Sequence, residues 1–326
     1  MALVWSGNAL HPSALAVLDG VATLFVSNVG ERNDWYAEAA TADAILLRGT
    51  TLMTGEEMDR IGPRLRIIAR AGIGVDRIDL AAATQRGILV VNTPDGPTES
   101  TAEHAIALLL NLCKQVMIGD RMLRLQRSFP LYSELPLGLE TVGTVLGLVG
   151  LGRIGSRMAT IAKVLGMRVL AYDPFVTAER ASALGVELTH SLEALLTRSQ
   201  VVSLHCPALP ETYHIINAQT LALMPRGSYL INVARGTLVD TDALLAALGS
   251  GQLAGAGLDV FEPEPPPADH PLFSLPNTIC TPHIGSYTSA SVERMQVMVC
   301  EEIAQALRGE RPKDLVNSAV WGQQRR

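Results

Sequence analysis

Three polar residues stand where a parallel sheet would put its chemistry, just past strand-like runs: Arg235 after LINVA, Glu264 after GLDVFEP and His283 after TICTP. Open parallel sheets collect ligands beyond the carboxyl ends of their strands. A guanidinium there offers a two-pronged grip on a carboxylate, and an imidazole has the pKa closest to the proton transfer that accompanies carbonyl reduction. Glu264 lies between Pro263 and Pro265, whose fixed φ angles limit where its carboxylate can point. Set against the far ring nitrogen of a histidine, it would stabilise the imidazolium. Together the three suit reduction of a 2-keto acid, or the reverse oxidation, with His283 carrying the proton. His205, at another strand end, is the alternative proton carrier. His11, His104, His190, His214 and His270 make no HxxxH or HExxH pair, so no metal is expected. No GxSxG elbow or partnered cysteine points to a covalent nucleophile.

Such a reduction needs a hydride source. The run GLGRIG, Gly150 to Gly155, directly follows the strand-like VLGLVG and opens a helical pattern, which is the context of a dinucleotide fingerprint. Gly150 permits the tight turn, Gly152 lets a pyrophosphate approach the backbone, and Gly155 lets helix and strand pack closely. Amides at the helix start then face the phosphates. The fingerprint calls for an acid at the end of the next strand, and Asp173 in LAYDP is there. A carboxylate at that point accepts from both ribose hydroxyls of NAD and repels the extra phosphate of NADP. The following PFVTA has no Arg or Lys to offset it, so NAD is expected.

The elements that must position these residues alternate between β-branched apolar runs and stretches of helical period, the rhythm of α/β domains with parallel sheets. Strands are expected at 21–27, 44–49, 65–72 and 88–94, then at 145–150, 168–173, 186–188, 201–206, 229–234, 254–260 and 278–282. Gly87 fits a helix end before the fourth. From Pro97 a long helix begins, with Thr98 and Ser100 as candidate N-caps. A last helix near 288–308 lies too far past the second sheet to be another βα repeat and is expected to cross back to the first domain. The second domain, 98–287, is thus inserted into the first, 1–97 plus 288–326.

A length of 326 residues agrees with two domains. With 18% charged, 48% hydrophobic and 4% aromatic residues, the core must be mostly aliphatic. Net charge is -6, and no basic run focuses positive field, so nucleic acid is excluded as a partner. Cys113, Cys206, Cys280 and Cys300 are scattered without a CxxC pair, which suggests reduced thiols inside the cell. The N-terminus has no basic stretch and is broken by Gly7, Asn8 and Pro12, unlike a signal peptide. The longest charge-free strand-like run is too short for a bilayer. A cytoplasmic protein without membrane partners is expected, and its basic end, Gln323 to Arg326, should be solvated.

Six segments carry a resemblance to a known family: RAGIGVDRIDL (70–80), GLVGLGRIG (147–155), HCPALPET (205–212), LINVARGTLVD (230–240), GAGLDVFEPEP (255–265) and TPHIG (281–285). In this order, over roughly 44–317, the chain resembles the D-isomer-specific 2-hydroxyacid dehydrogenases, with phosphoglycerate dehydrogenases and hydroxypyruvate or glyoxylate reductases as the nearest-looking members. The resemblance implies a Rossmann-type NAD-binding domain inserted into a flavodoxin-like α/β substrate domain, a small anionic 2-hydroxy or 2-keto acid bound in the cleft between domains, and Arg235, Glu264 and His283 as the catalytic trio. It implies cofactor contacts from Arg153 and Ile154 at the pyrophosphate, from Cys206, Pro207 and Thr212 on the adenosine side, and from Ala234, Asp259 and Gly285 near the nicotinamide. It implies that the loop containing Gly72, Ile73 and Gly74 grips the substrate carboxylate, that Arg48 lies near the substrate's far end, and that the protein is a homodimer through the cofactor domain, with an arm around 118–140. Because Arg48 could pair with a phosphate, D-3-phosphoglycerate is the first substrate expected. Ile73 stands at an often small polar position, and PDGPTES departs from the commoner form, which leaves hydroxypyruvate and glyoxylate as alternatives. Some relatives of this fold act as NADH-responsive corepressors, the rival reading that an intact trio disfavours.

Overall fold

The computed structural model describes residues 1–27, 35–49, 51–129 and 137–325. The chain divides into two compact units, Met1–Pro97 with Tyr287–Arg326, and Thr98–Ser286.

The first unit is built on a parallel sheet of β1 (Ala2–Ser6), β2 (Ala22–Val26), β3 (Ala44–Leu47), β4 (Ile67–Arg70) and β5 (Leu89–Val91), in the order β2-β1-β3-β4-β5. Apart from the edge strand β2, where Thr23, Phe25 and Val26 are exposed, its strands are apolar on both faces because both are covered. Val4, Leu46, Ile67, Ala69, Leu89 and Val91 pack on one side with Met295, Val299 and Ile303 of the last helix, Ser289–Leu307. Trp5, Ile45, Leu47, Ile68 and Val90 alternate to the other side, against Trp35, Met58 and Ile61. The sequence pattern missed β1, which pairs with both β2 and β3 near the middle of the sheet. Its residues form a short apolar run, Ala2 to Trp5, with no turn signal before it to mark a strand. Gly87 (φ 68°) ends the helix Leu80–Gln85, with its amide bonded to Thr84 O and that of Ile88 to Ala83 O. The chain end is not simply solvated, because the Arg325 amide donates to Gly87 O and its guanidinium to the carbonyls of Gly62 and Leu65. Arg326 lies outside the described residues.

The second unit holds β6 (Val145–Val149), β7 (Arg168–Tyr172), β8 (Glu187–Leu188), β9 (Val201–Leu204), β10 (Ser228–Asn232), β11 (Leu253–Leu258) and β12 (Thr278–Cys280). Their order, β12-β11-β10-β9-β6-β7-β8, places the reversal of strand order between β6 and β9, the crevice where doubly wound sheets take ligands. Leu146, Leu148, Val201 and Ile231 face one helical layer, and Val149, Val202, Leu204 and Leu230 face the other. The helix Thr98–Lys114 lies in the first layer, with Ala105, Leu108, Leu109 and Leu112 buried. It begins at Thr98, so the cap position falls to Pro97. Ser100 is inside the helix, where its hydroxyl donates instead to Gly285 O at 3.0 Å.

Candidate active site

The fingerprint glycines differ in what surrounds them. Gly150 (φ 98°) adopts the left-handed region, and a Cβ there would fall 2.8 Å from the backbone of His205 and Cys206. A Cβ on Gly155 would lie 2.3 Å from Gly150 O, so the helix Arg153–Val164 can approach the turn only without one. A Cβ on Gly152 would meet nothing within 4 Å, and this residue caps the helix without a side chain. The turn therefore offers uncovered space in front of a helix start that includes Arg153 and Ile154, which fits an anionic pyrophosphate. Asp173 Oδ2 accepts from Leu151 N at 2.8 Å and Oδ1 from Phe175 N at 2.9 Å. Its carboxylate is fixed by two amides and keeps lone pairs for ribose hydroxyls. Cys206 lies against the Gly150 turn, and burial pushes its thiol up to about 11. Thr212 Oγ1 accepts from Leu209 N and donates to Pro207 O at 2.7 Å, closing the 207–212 loop on itself.

The trio's acid and base meet. His283 Nδ1 lies 2.6 Å from Glu264 Oε1, with the histidine side chain 40% exposed and the glutamate 15%. His283 is not on a strand, as β12 stops at Cys280 and His283 sits in the turn beyond it with φ 53°. The left-handed conformation costs a non-glycine residue free energy and has to be held by its surroundings. Arg235 follows β10 in extended conformation; its Nη1 donates to Ala234 O at 2.6 Å, and its carbonyl accepts from Asn232 Nδ2. Ala234 is held in turn by its amide on Asn232 Oδ1.

Asp259, at the end of β11, is buried and commits its carboxylate to the protein. Oδ1 accepts from Thr281 Oγ1 at 2.6 Å and Ile284 N at 2.9 Å, and Oδ2 from Gly285 N at 2.8 Å. Burial pushes its pKa up, but hydrogen bonds from His104, Thr281, Ile284 and Gly285 outweigh this and leave it below the usual carboxylate range. His104 Nε2 lies 3.0 Å from Thr281 Oγ1. His104 lies outside the expected site residues, but with Ser100 and Thr101 it forms a polar stripe on an otherwise apolar helix face. His214 also lies outside the expected site residues; its Nε2 is 2.8 Å from Glu262 Oε2, two residues before Glu264.

His205 is not an alternative proton carrier. It continues the inward alternation of Val201 and Ser203 one step past β9, so its ring turns into the core. There Nε2 meets Ser203 Oγ at 2.9 Å and Met158 Sδ at 3.1 Å. Burial lowers its pKa to about 4.

In the first unit, β3 and β4 pair Leu47 with Arg70, so Arg48 and Ala71 follow at the same end of the sheet. Gly72 N donates to Thr93 Oγ1 at 2.8 Å, and Ile73 O accepts from Asn92 Nδ2 at 2.8 Å. The Gly72 amide, expected to grip substrate, is therefore already engaged. Gly74 follows in the same loop, whose neighbour Val75 O accepts from Ile78 N. Among the described residues no cluster of three or more His, Cys, Asp or Glu side chains could hold a metal ion, and no helix is long and apolar enough to cross a membrane.

A doubly wound parallel sheet with a glycine turn at its switch point and an acid after the next strand has the form of a dinucleotide-binding domain. Residues 106–285 match the NAD binding domain of the D-isomer specific 2-hydroxyacid dehydrogenases. The chain belongs to that family. It is 42% identical over 316 residues to the D-3-phosphoglycerate dehydrogenase of Mycobacterium bovis, covering 97% of this chain and 58% of that one. It is 44% identical over 265 residues to the glyoxylate reductase of Korarchaeum cryptofilum, covering 81% and 80%. The D-lactate dehydrogenase of Aquifex aeolicus, solved with NAD and lactic acid, superposes with a TM-score of 0.80 at 35% identity, covering 94% and 96%. The chain spans about half the length of the phosphoglycerate dehydrogenases it matches, between 45% and 58%.

Proposed function

We propose that the protein is an NAD-dependent D-2-hydroxyacid dehydrogenase, and that the observation carrying this reading is the His283–Glu264 pair on the same unit as Arg235 and the glycine turn. A bound NAD would supply the hydride acceptor for the hydroxy acid, and its reduced form the hydride donor for the keto acid. The Gly150–Gly155 turn with Arg153 and Ile154 holds the pyrophosphate, and Asp173 the ribose. Cys206, Pro207 and Thr212 line the adenosine side, and Ala234 and Gly285 the nicotinamide side. Asp259 serves that side by fixing the Ile284 and Gly285 amides.

Arg235 holds the substrate carboxylate, assisted by backbone amides of the loop at Ile73 and Gly74. With Nδ1 occupied by Glu264, His283 presents Nε2 to the substrate oxygen; it takes the hydroxyl proton in oxidation and gives one in reduction. Glu264 balances the positive charge while the ring carries that proton. Gly72 supports the loop through Thr93.

D-3-Phosphoglycerate is the substrate proposed first, with Arg48 taking the phosphate. The glyoxylate reductase relative, matched over most of its own length, favours glyoxylate or hydroxypyruvate as the second reading. The protein is further proposed to be a cytoplasmic homodimer. The helix Val116–Arg124 buries none of its residues, and Val116, Leu123, Leu125, Phe129 and Leu137 are exposed nearby, an apolar surface suited to a second copy. Residues 130–136 of the expected arm lie outside the described residues.

Purified protein assayed for NADH and NADPH oxidation with phosphohydroxypyruvate, hydroxypyruvate, glyoxylate and pyruvate tests the reading. Turnover with NADH on at least one of these acids is expected; none on any would overturn it in favour of a binding protein.

A further inference from the structure

The turn that carries His283 is held from behind by a chain of hydrogen bonds with a single possible direction. Asp259 is ionised and can only accept, so Thr281 Oγ1 spends its hydrogen on Asp259 Oδ1 at 2.6 Å. The Thr281 oxygen is then left as acceptor for His104, whose Nε2 at 3.0 Å must carry the hydrogen. The same nitrogen is 3.4 Å from Asp259 Oδ1. On the other side of the carboxylate, Ile284 N and Gly285 N donate to its two oxygens, and His283 N donates to the Asp259 main-chain carbonyl at 2.8 Å. One buried residue thus receives three consecutive amides of the turn, two on its carboxylate and one on its main-chain carbonyl.

The helix bearing His104 closes this assembly. Ser100 Oγ donates to Gly285 O, and a Cβ on Gly285 would stand 2.9 Å from Asp259 Oδ2 and 3.6 Å from both His104 and Thr101. The turn is wedged between Asp259 and the Ser100–Thr101–His104 face. This arrangement over-determines the φ of 53° at His283, the conformation that delivers Nδ1 to Glu264. Without the donors from His104 and Thr281, the buried carboxylate would have to recover hydrogen bonds by moving, and the amides bound to it would follow.

We propose that His104, acting through Thr281 and Asp259, is a positioning residue that sets the catalytic aim of His283. The inference rests on the dehydrogenase reading above for its consequence in turnover, but not for its structural claim. An imidazole at position 104 is read as a fixed hydrogen donor, so a donor of another kind suffices and an apolar side chain does not.

Four variants and three readouts test this. Thr281→Val and His104→Leu remove the donors at nearly constant volume, while Thr281→Ser and His104→Gln keep a donor. kcat and KM for the best keto acid are measured beside NADH affinity by fluorescence, and amide hydrogen exchange is followed at Ile284 and Gly285. Expected are a fall in kcat of about 10²-fold in the Val and Leu variants, as for a misplaced catalytic group, with NADH affinity retained. The Ser and Gln variants should recover most of the turnover. Faster exchange at Ile284 and Gly285 should accompany the loss. A kcat within twofold of wild type in His104→Leu, or equal losses in the donor-keeping and donor-lacking variants, overturns the proposal. If Thr281→Val does not fold, the His104 pair decides alone. If wild type turns over no keto acid, the dehydrogenase reading fails, and unchanged exchange in His104→Leu is then the result that separately overturns the positioning role.

Discussion

Nδ1 of His283 and Oε1 of Glu264 are 2.6 Å apart, a charge-assisted distance across two loops that follow different strands. The carboxylate fixes which face of the ring is left for the substrate and balances the charge the ring acquires. Glu264→Gln keeps an acceptor oxygen but not the charge, and is expected to lower kcat by about 10²-fold while leaving NADH affinity unchanged. His283→Ala should be worse in turnover and equally neutral in NADH binding. Stopped-flow turnover with fluorescence titration separates the two quantities. Near-normal kcat in His283→Ala would remove that residue from the reaction.

Asp173 is held by the amides of Leu151 and Phe175, so its charge cannot swing away from a 2′-phosphate. Asp173→Ser removes the charge but keeps a hydroxyl for the ribose. The preference for NADH over NADPH, measured as the ratio of kcat/KM values, should fall by about tenfold, equivalent to ~1.4 kcal/mol. A ratio unchanged from wild type would show that discrimination resides elsewhere.

Gly155 is a packing requirement before it is a cofactor contact. Its added methyl would stand 2.3 Å from Gly150 O, which is backbone and has no rotamer to give. Gly155→Ala is expected to lose about 1–3 kcal/mol, the cost of an overpacked site, and to bind NADH more weakly because the helix start is displaced. Gly152→Ala meets open space and should leave thermal stability within about 0.5 kcal/mol while still impairing NADH binding. Equal melting temperatures for the two variants would contradict this division.

What the sequence disclosed follows from how these sheets are buried. β6, β9 and β10 are buried almost throughout and read as mostly apolar runs interrupted only by Ser203, Ser228 and Asn232, so residues just past them could be singled out. The glycine turn was legible because backbone approach, not side-chain choice, dictates it. β1 was not, since a four-residue apolar run at the chain start, with no turn signal before it, reads equally as a strand or a buried helix end. The interior role of His205 was hidden by treating the strand's end as the end of its alternation. His104 was only partly legible: the Ser100–Thr101–His104 stripe marks a polar contact, but its partner Thr281 is 177 positions away and no local pattern says what the stripe meets.

Arg48 follows β3 beside the start of the 71–75 loop, because Ala71 N bonds to Leu47 O at 3.0 Å. If it meets the far end of the substrate, its worth depends on what that end carries. Arg48→Ala should raise KM for phosphohydroxypyruvate about tenfold more than for hydroxypyruvate, as expected for losing one hydrogen bond between charged groups. Equal changes for the two acids would detach Arg48 from any phosphate and leave the glyoxylate or hydroxypyruvate reading ahead.

His205 gives the protein an acid sensitivity that can be assigned to one ring. Burial lowers its pKa from 6.5 to about 4. As pH falls below 6.5 the unfolded chain takes up this proton while the native state does not, so the unfolded state binds more protons throughout the window. Stability from this group is therefore fully present above pH 6.5 and is lost progressively down to about pH 4, by a total of ~3 kcal/mol. Below that the native state protonates as well and the loss levels off. His205→Gln keeps a polar group for Ser203 but has no proton to take up. Urea unfolding of both proteins between about pH 7 and pH 4 should show the wild type losing ~3 kcal/mol more than the variant over this range. Parallel loss would mean that the ring is accessible to protons in the native state, contrary to its place beside Met158 in the core.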